Sequence, residues 1–129
     1  EHIKTARERL AALKLLINVN IVNKSSLEYT PEHNFQLILL DTEPNLRFQE
    51  FIKFYPYLDE GGFIFIHDLH RHLSQEDNKE LGFGWPFGPL PEEINKLIIT
   101  DKVRLIHFPT PRGMSGFYKV HSKDYKNII

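Results

Sequence analysis

The sequence predicts an α/β fold built on a mostly parallel sheet with helices on both faces, and three observations predict it. Phe35-Gln-Leu-Ile-Leu-Leu-Asp41 and Phe63-Ile-Phe-Ile-His-Asp68 are near-continuous apolar runs, each ending in an acidic residue. Runs of that kind fit strands covered on both faces. One helix-length segment separates them, so the three read as a βαβ unit whose right-handed crossover puts both strand ends on one edge of the sheet. Val103 to Phe108 and Gly116 to Val120 then form two further strand-like runs. Pro109-Thr-Pro-Arg-Gly-Met-Ser115 joins them, which gives a wide-tipped hairpin and one reversed strand.

Each element has its own local warrant. Glu1 to Leu16 is rich in strong helix formers, with Ile3, Ala6, Leu10 and Leu13 recurring on one face. It reads as a helix already under way, with no strand feeding it, so the fold is expected to lack its N-terminal part. Val19 to Val22 is β-branched and alternating, the pattern of a short strand that ends near Asn23-Lys24-Ser25-Ser26. Pro44 suits a helix start, and Leu46, Phe48, Phe51, Ile52, Phe54, Tyr55 and Leu58 make that helix thickly apolar. Gly61-Gly62 reads as its stop. From His67 to Pro91 the pattern dissolves into charges, aromatics, Gly and Pro, a loop too long for a plain connector and so an expected active-site or lid loop. Leu90 to Ile99 reads as a helix with Pro91, Glu92 and Glu93 in its first turn. The expected order is α-β-β-α-β-α-β-β.

With 129 residues and no internal repeat, the chain is expected to be a single partial domain over 1–129. A net charge of -1 gives no global electrostatic pull towards nucleic acid or an anionic membrane. The absence of cysteine excludes a disulfide framework, a thiolate metal site and a cysteine nucleophile. No apolar stretch approaches the roughly 20 residues that span a bilayer, and a cytoplasmic location is expected.

The order and spacing of these elements resemble the class I S-adenosylmethionine-dependent methyltransferases, a Rossmann-like family whose sheet ends in a reversed hairpin strand. Glu1-His-Ile-Lys-Thr-Ala-Arg-Glu-Arg-Leu10 is similar to that family's second helix. Asn34-Phe-Gln-Leu-Ile-Leu-Leu-Asp41 resembles its fourth strand, and Tyr57-Leu-Asp-Glu-Gly-Gly-Phe-Ile-Phe-Ile-His-Asp68 resembles the segment leading into and through its fifth. The resemblance covers essentially this whole chain but only the later two-thirds of the family domain. The family's glycine-rich cofactor loop and the acidic residue that holds the ribose have no counterpart. The resemblance implies S-adenosylmethionine as cofactor and methyl transfer to a small-molecule acceptor, at oxygen in the small-molecule O-methyltransferase-like case, in the complete protein. This chain alone is expected to be inactive. The alternative is a non-catalytic methyltransferase-like module that binds a protein partner.

Topology and resemblance together select the candidate site. Ligands in open α/β sheets bind outside the carboxyl ends of the strands, where Asp41 and Asp68 are expected side by side. The resemblance implies that the pair orients the acceptor, directly or through Mg²⁺ or another divalent cation. Metal-dependent members place an asparagine after the second aspartate, where this chain has Leu69. The bland alternative makes Asp41 a helix cap and Asp68 a turn cap. His67, His70 and His72 flank Asp68. Strand alternation sets His67 on the face opposite Asp68 unless the strand ends there, so His70 is the expected base, with Asp41 as the alternative. Ser25 and Ser26 match the family's adenine-side strand end, with a helix cap as the equal alternative, and Asp41 joins them as a cofactor contact. Phe83, Trp85 and Phe87 with Gly82, Gly84 and Gly88 form either a lid over an apolar acceptor, a hydrophobic plug or a contact with another chain. Arg112-Gly113-Met114-Ser115 is either a solvated turn or a contact with a substrate anion or the second subunit of a homodimer. Basic residues of the first helix, Lys4, Arg7, Arg9 and Lys14, read as a solvated face and not a nucleic-acid site.

Overall fold

The computed structural model describes residues 2–14, 19–43, 45–68, 90–108 and 113–124. The chain divides into two compact units, residues 1–30 and 31–129. The first holds helix α1, His2–Ala12. Its Arg7 guanidinium donates to the Ile21 carbonyl at 3.4 Å. Residues 19–23 carry no strand, contrary to the expectation for Val19 to Val22, and both valines are exposed. Strand propensity needs a partner ladder and a face to bury, and among the described residues every paired strand lies in the second unit.

The second unit is a four-stranded sheet in the order β1-β2-β4-β3, with β1 at Phe35–Leu40, β2 at Leu58–His67, β3 at Val103–Phe108 and β4 at Met114–Lys119. β1 and β2 are parallel, and β4 runs antiparallel to both of its neighbours. Three strands therefore share one direction and the reversed hairpin strand lies between two of them. Helix α2, Arg47–Phe54, makes the crossover from β1 to β2, and α3, Glu92–Ile99, precedes β3.

α2 is shorter than its apolar stripe, because Pro56 has no N–H for the helical ladder and its ring opposes the carbonyl four residues back. The chain passes through one 3₁₀ turn, Tyr55–Tyr57, directly into β2. Gly61-Gly62 is thus not a helix stop. It lies inside β2, where the register jumps from Phe35 opposite Leu58 to Leu37 opposite Phe63. Gly61 adopts φ +81, and a Cβ on Gly62 would meet the Gln36 carbonyl oxygen at 2.7 Å. The pair forms a bulge that only glycine accommodates at both points.

One face of the sheet carries the core. Ile64, Ile66 and Phe117 are almost wholly buried, and Phe51 of α2 meets Phe117 edge-on at 4.8 Å and stacks on Tyr55 at 5.9 Å. Lys119 lies over the Tyr55 ring and donates to the Leu58 carbonyl at 2.5 Å, tying β4 to the end of the 3₁₀ turn. On the opposite face Phe63 packs against Phe65 and Tyr118, while Leu37, Leu39, Ile106 and Phe108 are 61, 60, 46 and 41% exposed, so that face is not covered as the first is. At the turn into β3, Arg104 grips Asp101 through two bonds of 3.1 and 3.0 Å, which holds the Asp101 carboxyl below its ordinary range.

Candidate functional site

The parallel pairing of β1 with β2 brings Leu40 opposite Ile66, so the residues that follow both strands emerge at one edge. Asp41 and Asp68 stand there. Asp41 Oδ1 lies 2.9 Å from His67 Nδ1 and 3.5 Å from an Arg47 nitrogen. Asp68 Oδ2 lies 3.7 Å from that same nitrogen, and its Oδ1 is 3.4 Å from His67 Nε2. The imidazole is therefore hydrogen-bonded to Asp41 and stands beside Asp68 without a hydrogen bond to its Oδ1, with Arg47 against both carboxylates.

Asp68 reaches the cluster through an unusual backbone. Strand alternation alone would send it to the face opposite His67. β2 ends at His67, however, and Asp68 takes φ +56, a left-handed conformation that Asp tolerates better than most residues. That turn cancels the alternation and returns the carboxylate to its neighbour's side. Asp68 is mostly buried, His67 about one-third exposed and Asp41 more than half exposed, so the cluster opens to solvent on the Asp41 side.

Arg47 is 3% exposed, in the first turn of α2. The helix dipole disfavours a cation there. It is held by donation from Nε to the Thr42 carbonyl at 2.9 Å and from an Nη to the His67 carbonyl at 2.5 Å. One turn later Glu50, fully buried, accepts from the Thr42 hydroxyl. α2 thus pins the loop after β1 by a cation and an acid at once. Its N-cap is Leu46 with no side-chain bond, so Asp41 does not cap it and its carboxylate is committed to His67 and Arg47.

Of the predicted site residues, the structure brings Asp41 and Asp68 together. His70 and His72 lie outside the described residues, as do Leu69, the aromatic loop through Phe83, Trp85 and Phe87, and Arg112. Ser25 and Ser26 belong to the first unit. There the Ser25 carbonyl accepts from the amides of Glu28 and Tyr29, both at 3.0 Å, and Ser25 is exposed. His67 stands beside both aspartates. Arg47 was missed altogether, because the helix stripe was read only for its apolar members. A lone arginine at a helix start, six residues after a strand-end aspartate, was the available signal.

This sheet order is that of part of the Rossmann-like α/β fold found in the class I S-adenosylmethionine-dependent methyltransferases. Two solved structures share it. The chain superposes with a TM-score of 0.63 and 15% identity on a protein described as a caffeoyl-CoA O-methyltransferase from Staphylococcus aureus, over 91% of this chain and 59% of that one. It superposes with a TM-score of 0.61 and 15% identity on a protein described as an rRNA-methylase from Clostridium thermocellum, over 92% of this chain and 67% of that one. The chain therefore spans about three-fifths to two-thirds of their length. No family model and no curated protein sequence matches it. Among the described residues no helix is long and apolar enough to cross a membrane.

Proposed function

We propose that the complete protein transfers a methyl group from S-adenosylmethionine to an oxygen of a small-molecule acceptor, and that the Asp41–His67–Asp68 cluster is where the acceptor is held and deprotonated. The observation that carries this is an imidazole bonded to one carboxylate and standing beside a second at adjacent parallel strand ends, in a fold shared with methyltransferases. When bound, the cofactor supplies a sulfonium-activated methyl, so the protein's work is alignment and removal of one proton.

Asp41 orients His67 through Nδ1, the way a carboxylate fixes an imidazole for proton transfer, and Nε2 is then the atom that takes the acceptor proton. Asp68 accepts a hydrogen bond from the acceptor and sets its angle. With the cofactor bound, Nε2 would take the hydroxyl proton of the acceptor and release it to water. The exposed Ser25 hydroxyl is of the right chemistry to bond an adenine nitrogen, as is that of Ser26, and Asp41 is a separate candidate for a cofactor contact.

A small acceptor is favoured over nucleic acid by the site's own charge. Two carboxylates against one guanidinium leave it negative when His67 is neutral, which repels a phosphate backbone. The proposed setting is cytoplasmic. The exposed apolar face at Leu37, Leu39, Ile106 and Phe108 supports a second reading, a non-catalytic module that binds a protein partner.

Calorimetric titration of S-adenosylmethionine and its demethylated product into this chain and into the complete gene product separates the two. Binding by the complete protein, with turnover lost in His67→Ala and Asp68→Ala variants that still bind cofactor, is the expected result. Full activity in both variants, or no cofactor binding by the complete protein, sinks the proposal, and the second outcome favours the partner-binding module.

A further inference from the structure

The metal-dependent relatives evoked by the strand-end carboxylates make a divalent cation the obvious occupant of this cluster. Asp41, His67 and Asp68 could supply one ligand atom each, all within 4.8 Å of one another. The donor set alone would suit a divalent ion. Its surroundings do not. An Arg47 nitrogen stands 3.5 Å from Asp41 and 3.7 Å from Asp68, so a guanidinium already sits against both carboxylates.

That cation is fixed. It is buried and anchored to two backbone carbonyls by separate nitrogens. An ion taking an oxygen from each carboxylate would lie beside that anchored positive charge. One imidazole nitrogen is committed as well, since Nδ1 lies 2.9 Å from Asp41 Oδ1 in a hydrogen bond. Arg47 occupies a helix N-terminus against the local dipole, where the two carboxylates supply the compensating charge.

We infer that Arg47 is the resident cation of this site, and that the site handles its acceptor without a divalent metal. The inference rests on the site assigned above but not on the identity of the acceptor. Arg47 is a positioning residue: it balances the two carboxylates and spaces them, leaving proton removal to His67.

The test is ion binding, read with neither cofactor nor turnover. Mn²⁺ is titrated into the 129-residue chain and the free-ion signal followed by electron paramagnetic resonance, with Zn²⁺ followed by competition against a chromogenic chelator. Wild type is expected to bind neither ion more tightly than about 1 mM, the weak end of protein cation sites. Arg47→Met, which keeps the aliphatic bulk and removes the charge, is expected to bind at least about tenfold tighter, which corresponds to one decade in the equilibrium constant. That gain should vanish in the Arg47→Met, Asp41→Asn double variant. Micromolar binding by wild type that is lost on Asp41→Asn refutes the inference without any Arg47 variant. A folded Arg47→Met chain that binds no tighter than wild type refutes it too. Either failure leaves methyl transfer itself standing, because cofactor binding is measured separately.

Discussion

Replacing Arg47 by methionine should cost the fold about 3 kcal/mol, at the lower end of the 3–5 kcal/mol typical of breaking a buried ion pair. At an effective dielectric near 20, unit charges separated as Arg47 is from Asp41 and Asp68 attract by about 4–5 kcal/mol per pair. The Asp41 side chain is 56% exposed, so water screens its share towards the ~1 kcal/mol of a surface pair, while Asp68 at 16% keeps more. Charge-assisted bonds to the Thr42 and His67 carbonyls add roughly 1.5–3 kcal/mol each. Desolvation of the guanidinium, several kcal/mol, offsets much of this sum. Methionine recovers that term but leaves two carboxylates facing each other without their cation. Lysine keeps the charge but cannot reach both carbonyls from a single nitrogen, so Arg47→Lys should lose about half as much. Urea unfolding followed by far-UV circular dichroism reads both values. A methionine variant within about 0.5 kcal/mol of wild type, or a lysine variant equal to it, would refute the assignment of Arg47 as the charge that holds the strand ends together.

Acid sensitivity should centre in part on Glu60. The Ser122 backbone N–H and hydroxyl donate to its Oε2 at 3.2 and 3.0 Å, and with His121 nearby they hold its carboxyl below the ordinary range. A folded-state pKa below the unfolded one gives stability that is present above the unfolded carboxylate value and lost as pH falls through the folded one. Wild type should therefore lose stability more steeply than Glu60→Gln between neutral pH and about pH 3, and identical slopes would exclude this contact as a source. The two close-packed glycines should differ. A Cβ on Gly62 runs into the Gln36 and Asp59 carbonyl oxygens at 2.7 and 3.0 Å, whereas one on Gly116 meets the Phe65 ring at 2.8 Å. Backbone cannot yield as a ring edge can, so Gly62→Ala should cost about 2–3 kcal/mol and Gly116→Ala about 1 kcal/mol by thermal unfolding. The reverse order would mean that the bulge is softer than its register implies.

The strands of the second unit were legible in the sequence because their information is local. Phe35 to Leu40 and Val103 to Phe108 carry short apolar-rich runs that fit strands, whereas the expected turn through Ser115 overran β4, which begins at Met114. The same locality misled at Val19 to Val22, where β-branched residues promise a strand that no neighbour pairs. At Gly61-Gly62 a stop signal turned out to be a bulge, because Pro56 had already ended the helix. The carboxylate pair was legible for a topological reason, since a right-handed crossover fixes where strand ends meet. His67 was not. Alternation sets it opposite Asp68 unless the strand ends there, and only the structure shows that β2 ends at His67 and that Asp68 turns left-handed.

By itself, then, the sequence determined the order of elements, the parallel β1–β2 pair and the edge at which Asp41 and Asp68 face each other. These follow from periodicity and chain handedness, which act over a few residues or through one crossover. Only the tertiary structure decided that His67 bonds Asp41 beside Asp68 and that Arg47 lies against both carboxylates as a buried cation. The distances that decide this join residues 20 and 26 positions apart. Electrostatic partnership depends on separation in space and on burial, and neither is written in the spacing of one-letter codes.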